Sequence, residues 1–430
     1  MSARRNRRSG ILAAGLLFAS LCGAPIFAAD TTPDDLAGRQ GATPCDGSGS
    51  RVVEQAGVQW IHLCTYTRDR LNRILTGERE TYGPWEKKFP GNSSYDVDLY
   101  RVIYPSVIPE TGKATMASGL LALPHGGQRV LPFVSYQHGT TFGRKEVPSF
   151  PENSYETRLI LARFASHGYG VIAADYFGQG ISTEPNSFVV KASTQQACLD
   201  LLKAVRLILP PLGRSMDQLF LSGWSQGGWA TMAFLNRLEE EGIKVTAVAT
   251  ASAFNDLFAT INNWIHAPGP NAAVWLPAII SNQIFANSRY YNIPDLPGQA
   301  IRPQYLAAAR RFADFEIDYG ELSKIIPTKV SDFLTPEFIA MSSLGKGSYW
   351  ERVQANQVYR WRSVTPLRSY YGAMDEATPP YVAQLPVGWQ KVMNGATTSA
   401  VPTGAHADHR KTFFGMVFES KPWFDSLLRR

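Results

Sequence analysis

The stretch Leu219-Phe-Leu-Ser-Gly-Trp-Ser-Gln-Gly-Gly228 (LFLSGWSQGG) decides how this chain reads. Apolar residues lead into Gly-Trp-Ser-Gln-Gly, and a helical pattern, GWATMAFLNRLEEEG, begins at Gly228. A serine between two glycines at a strand-to-helix junction is the pattern of a nucleophile elbow. Gly223 and Gly227 permit a close approach of strand and helix that side chains would block. Ser225 would then project from the carboxyl end of a sheet, near the positive end of the following helix. Five letters are short enough to arise by chance in a chain with 36 glycines, so the surroundings must decide.

Working outward, strands and helices alternate. VDLYRVIY (97–104), ASGLLAL (117–123) and RVLPFVSYQHG (129–139) read as strands. YETRLILARFASHG (155–168) reads as a helix with a glycine stop, and YGVIAADYFGQG (169–180) as a buried strand entering a turn. STQQACLDLLKAVRLIL (193–209) is a helix, and IKVTAVATAS (243–252) follows the elbow helix as another strand. Such alternation with short glycine-marked joints predicts an α/β chain with a mostly parallel sheet. From 253 to 350 it stops. Trp264, Trp275, several prolines and pieces such as RPQYLAAARRFADFEIDYGEL predict a helical cap inserted into the core. The sheet pattern returns in VTPLRSYYGAMDEATPP (364–380) and ATTSAVPTGAH (396–406), and a last helix is expected from about 409 to 428. The predicted organisation is therefore a signal peptide over 1–29, an N-terminal extension packed on the core over 30–95, core over 96–252, cap over 253–350 and core again over 351–430.

A serine hydroxyl is a weak nucleophile and needs a base, which needs an orienting carboxylate. An elbow of this type predicts the chain order serine, acid, histidine. Asp375 sits in a turn just past a strand and is the candidate acid, with Glu376 as its alternative. His266 precedes the acid, so GAHADHRKTFF supplies the base: His409, just before the last helix, is favoured, with His406 as its competitor. The oxyanion needs two donors. The Gln226 N–H is one, and the loop after LPFVSYQHGTTFG supplies the other, with Thr140 favoured over Gly139 and Thr141. His138 is expected to shape that loop. Asp175 precedes Ser225 in the chain and reads as a turn former. His406, Asp408 and His409 lack a fitting further ligand motif, so neither a metal nor a cofactor is expected.

Composition bounds the partners. The 430 residues are 44% hydrophobic and can bury a large core. Met1–Arg8 is basic, Ile11–Leu21 is mostly apolar, and APIFAA (24–29) is small-residue-rich, the order of a secretory signal peptide. The apolar run is too short for a comfortable membrane span, so no integral span is expected in the mature chain. Cleavage near Ala29 removes four arginines and no acid. The 42 basic residues become 38 against 36 acidic, and the formal charge falls from +6 to +2. The basic balance is a targeting feature and gives no reason to expect a nucleic-acid partner. An oxidising compartment favours a Cys45–Cys64 disulfide, while Cys198 lies on the apolar period of a helix and reads as buried.

Taken together, YQHGT, ADYFGQG, GWSQGG, GAMDEATPP and ADHRKTFFGMVFESKPWFDSL resemble the α/β-hydrolase superfamily, and within it the bacterial relatives of secretory lipases and esterases. The resemblance runs from about Val97 onward, outside the insertion. It implies a secreted or periplasmic serine hydrolase of carboxylic esters, small-molecule or lipid, with Ser225, Asp375 and His409 as its triad. Two rivals share the sequence features: an amidase or peptidase using the same triad, and a non-catalytic binding protein on this fold.

Overall fold

Strand β7 (Ser215–Trp224) is buried from Gln218 to Trp224 and delivers the chain to Ser225. It lies inside a ten-stranded sheet in a computed structural model that describes residues 45–428 apart from 79–81 and 84. The expected signal peptide lies outside the described residues. The other strands are β1 (Val52–Gln55), β2 (Val58–Tyr66), β3 (Val97–Ile108), β4 (Lys113–Pro124), β5 (Val130–Gln137), β6 (Gly170–Ala174), β8 (Ala247–Ala251), β9 (Leu367–Tyr371) and β10 (Thr398–Pro402). Their order is β1-β2-β3-β4-β6-β5-β7-β8-β9-β10.

The sheet has two textures. From β1 to β6 neighbouring strands pair antiparallel. From β6 through β5, β7, β8 and β9 to β10 every pair is parallel. Sequence explains the division. β6 (GVIAA) and β8 (AVATA) are buried at every residue, as strands covered on both faces must be. β2 and much of β3 instead alternate buried with half-exposed positions, the pattern of a sheet margin with one wet face.

Residues 30–95, expected to be an extension packed on the core, contribute strands to it. β2 pairs along β3 from Gln59↔Ile103 to Tyr66↔Val97. Val58, Trp60, Leu63 and Tyr66 turn inward, so the segment completes the sheet. A Cys45–Cys64 disulfide ties its start to β2, and Cys198 is free and buried.

Ten helices of eight or more residues are described. Three belong to the first part of the core: α1 (Tyr155–Arg163), α2 (Lys191–Ile208) and α3 (Gln226–Glu240). Between β8 and β9 the chain is helical: α4 (Leu257–His266), α5 (Leu276–Tyr290), α6 (Pro303–Ala313), α7 (Pro336–Leu344) and α8 (Ser348–Ala355). Helix thus continues five residues past the boundary expected at 350. α9 (Pro380–Met393) and α10 (His409–Ser426) follow β9 and β10, and α10 packs on β8, β9 and α1. Among the described residues no helix is long and apolar enough to cross a membrane.

Candidate active site

Ser225 has φ 59° and ψ −121°, a region few side-chain-bearing residues occupy. Its N–H donates to the Ala251 carbonyl at 2.9 Å, which pins the turn to the neighbouring strand. The flanking glycines are sterically required. A Cβ on Gly223 would collide with the Gly227 carbonyl, and one on Gly227 with the Gln137 carbonyl oxygen. The first turn of α3 therefore lies directly against the end of β5.

His409 opens α10, whose N-cap Asp408 accepts from the Lys411 N–H at 2.8 Å. Its Nε2 lies 2.8 Å from Ser225 Oγ and its Nδ1 lies 2.9 Å from Asp375 Oδ1. Both the histidine and the aspartate side chains are almost fully buried. Asp375 is held by its own turn: Oδ1 also accepts the Ala377 and Thr378 N–H groups at 3.0 and 2.8 Å. Oδ2 accepts the Ser252 hydroxyl at 2.5 Å. The acid, base and serine thus form one hydrogen-bonded series across the carboxyl ends of β7, β8 and β9.

The other sequence candidates fall elsewhere. His406 is exposed in the turn before α10, and Glu376 accepts the main-chain N–H of His409 at 3.0 Å rather than facing its ring. His266 bonds to Ser342 within the insertion at 2.7 Å. Burial pushes the His409 imidazole down, but the Asp375 carboxylate beside it, their hydrogen bond and Glu376 together raise it above the ordinary value. Burial also raises the Glu376 carboxyl, against the opposing pull of His409.

The two N–H groups expected from the sequence to serve the oxyanion differ in their surroundings. Gln226 is the first residue of α3, where no intrahelical acceptor exists for its N–H. The Gly139 N–H donates to Glu156 Oε1 at 2.8 Å, whereas the Thr140 N–H has no partner among the described residues. His138 stacks on Tyr176 with ring centroids 4.3 Å apart, and its Nδ1 meets the Gly139 carbonyl at 2.8 Å. Burial lowers its pKa. Asp175 accepts the Ser118 hydroxyl at 2.5 Å and the Ser149 N–H at 2.9 Å rather than the catalytic imidazole, and burial raises its carboxyl.

Three contributors escaped the sequence reading. Trp224 donates its indole N–H to the His409 carbonyl at 3.1 Å, and its ring lies 5.0 Å from the imidazole. Trp275, at the start of α5 in the insertion, lies 6.0 Å from the same ring. Glu156 is a buried carboxyl in the first turn of α1. Nothing in YETRLILAR distinguishes it from a solvated helix residue. Trp224 carried a signal, its place inside the elbow motif. The loop after Thr140 also meets the insertion: Phe142 stacks on Tyr319 at 5.1 Å and Arg144 lies over Phe315 at 5.0 Å. Among the described residues no three His, Cys, Asp or Glu side chains group as a metal site.

A sequence profile of the Alpha/beta hydrolase family matches residues 138–412. A search of curated proteins found no match. Among solved structures, a Legionella pneumophila protein assigned as a hydrolase superposes with a TM-score of 0.74 at 22% identity, covering 88% of this chain and 98% of that one. The rice cell wall degrading esterase LipA from Xanthomonas oryzae gives 0.71 at 23% identity, covering 88% and 97%. Candida antarctica lipase A gives 0.57 at 13% identity, covering 74% and 78%. At these identities the likeness is one of fold.

Proposed function

This chain belongs to the alpha/beta hydrolase family, and within it we propose a secreted serine hydrolase acting on carboxylic esters. One observation carries the reading: the unbroken series from Asp375 Oδ1 through His409 to Ser225 Oγ, with contacts of 2.9 and 2.8 Å. The buried carboxylate fixes the Nδ1–H tautomer of His409, which leaves Nε2 as an acceptor for the serine proton. Ser225 Oγ attacks the acyl carbonyl carbon as its proton passes to His409. The oxygen that gains charge takes the N–H groups of Thr140 and Gln226, neither of which has an acceptor among the described residues. His409 returns the proton to the departing alkoxide oxygen, which leaves as the alcohol. Water then repeats the sequence on the acyl-enzyme and releases the acid.

The signal-peptide pattern at 1–29 and the Cys45–Cys64 bond support an oxidising, extracytoplasmic setting. The esterase and the lipase that share this fold support ester over amide substrates. The test is Ser225→Ala, assayed in the purified protein on p-nitrophenyl butyrate. We expect a loss of roughly 10⁴-fold or more in kcat, together with loss of labelling by a fluorophosphonate. Undiminished turnover in the variant would refute the assignment.

A further inference from the structure

We propose that Glu156 is a positioning residue for the oxyanion hole, holding the Gly139 N–H so that the next N–H along the chain, that of Thr140, is left for the reacting oxygen. The inference rests on the serine-hydrolase reading above. It begins from a carboxyl that the triad does not use. Glu156 is buried in the first turn of α1. A carboxyl there costs stability unless it is put to use, and burial raises it from 4.5 to about 7.

Its partners say what that use is. A single oxygen, Oε1, accepts the Tyr136 hydroxyl at 2.6 Å and the Gly139 N–H at 2.8 Å. Both donors lie at the end of β5, where the chain leaves the sheet for the loop carrying Thr140. Glu156 thus takes the Gly139 N–H, while the Thr140 N–H has no acceptor among the described residues and is left for the reacting oxygen. His138 and Tyr176 hold the carbonyls of this segment, and Glu156 is the acceptor that holds the Gly139 N–H.

Packing closes the other side. A Cβ at Gly139 would lie 3.2 Å from Glu156 Oε2 and 3.1 Å from the Trp224 ring, so the loop is gripped between the two. Trp224 precedes the nucleophile and donates to the His409 carbonyl. Glu156, Gly139, Trp224 and His409 consequently form one packed series that registers the oxyanion donor against the base.

The experiment uses the mature protein and three variants, with Ser225→Ala as reference. Glu156→Gln keeps an oxygen acceptor at the Oε1 position. Glu156→Asp keeps the charge but withdraws the acceptor by one methylene, and Glu156→Leu removes it. We expect kcat on p-nitrophenyl butyrate to fall roughly 30- to 100-fold in the Asp and Leu variants, a large part of what loss of one oxyanion donor costs. KM should stay within about threefold, since the ground-state carbonyl makes little use of that donor. Affinity for a butylboronic acid, whose tetrahedral adduct on Ser225 places an oxygen in the hole, should fall by the same factor as kcat. Glu156→Gln should recover most of both losses. A folded Asp variant with kcat and boronate affinity near wild type would overturn the inference. So would a Gln variant as impaired as Leu, or a KM that rises in step with the fall in kcat. If the wild type fails to turn over the ester, or Ser225→Ala leaves its rate unchanged, the serine-hydrolase reading falls and takes this inference with it.

Discussion

Replacing Asp375 by Asn separates charge from geometry in a way the local hydrogen bonds make calculable. Oδ1 accepts three donors: the Ala377 N–H, the Thr378 N–H and His409 Nδ1. Oδ2 accepts one, the Ser252 hydroxyl. An asparagine must therefore keep its oxygen at the Oδ1 position and place its NH₂ toward Ser252, whose hydroxyl can rotate from donor to acceptor. The His409 Nδ1–H then still has its acceptor, the tautomer is retained, and Nε2 still faces Ser225. What disappears is the negative charge that stabilises the imidazolium. At 2.9 Å and an effective dielectric near 20, that attraction is about 6 kcal/mol, which sets a ceiling of roughly 10⁴-fold. Because the tautomer survives, we expect a smaller loss, about 10²- to 10³-fold in kcat/KM. Urea unfolding should show a loss of about 1–3 kcal/mol, since every donor to Oδ1 keeps its acceptor and only the second N–H of the new amide lacks one. Asp375→Ala orphans several buried donors at once and should be destabilised by several kcal/mol at comparable activity loss. An Asn variant with near-wild-type kcat/KM, or one as unstable as Ala, would refute this account of Oδ1.

Four further outcomes follow from the geometry around the triad and the elbow. Because Asp375 raises the His409 imidazole against the effect of burial, the acid limb of kcat/KM should lie above the usual ~6.5 and move lower in Asp375→Asn; a stopped-assay pH series reads both. Glu156 titrates near 7 when folded against an ordinary 4.5, so the folded state binds the extra proton and stability falls as pH rises between them; wild type should lose about 3 kcal/mol relative to Glu156→Gln over that window, measured by urea midpoints. Gly227→Ala forces a side-chain atom into the Gln137 carbonyl and should cost ~3 kcal/mol or more while displacing the Thr140 loop, so that melting temperature and kcat fall together. The Cys45–Cys64 bond closes a separation of 19 residues, and the double Ala variant should lose about 3 kcal/mol of stability in denaturant titration with the triad contacts unaltered.

Much of the site was legible because its chemistry demands local sequence. The elbow needs glycines at fixed positions, and the acid turn needs a short carboxylate past a strand. His409 and His406 could not be separated by spacing alone. The structure parts them through Asp408, whose side chain caps α10 and makes His409 its first residue, leaving His406 in the exposed turn. Strands β1 and β2 were missed because the glycine- and polar-rich texture around them masked the alternation of VQWIHLCTY. Glu156 was invisible for a different reason. Hydrophobic period predicts which apolar residues face inward, and says nothing of a carboxylate whose partners come from a strand about twenty residues earlier in the chain.

Ser225 and His409 are 184 residues apart in the chain, and the base belongs to the helix farthest along it among the described residues. During synthesis Ser225 and the N–H groups proposed as its oxyanion donors are in the chain long before His409. Only when α10 seats on β8, β9 and α1 does His409 reach the serine. Catalytic competence is thus tied to the closing step of assembly, and a chain arrested before α10 emerges is a hydroxyl without a proton acceptor. For the proposed serine hydrolase, that order of construction keeps the nucleophile idle until the last part of the fold is in place.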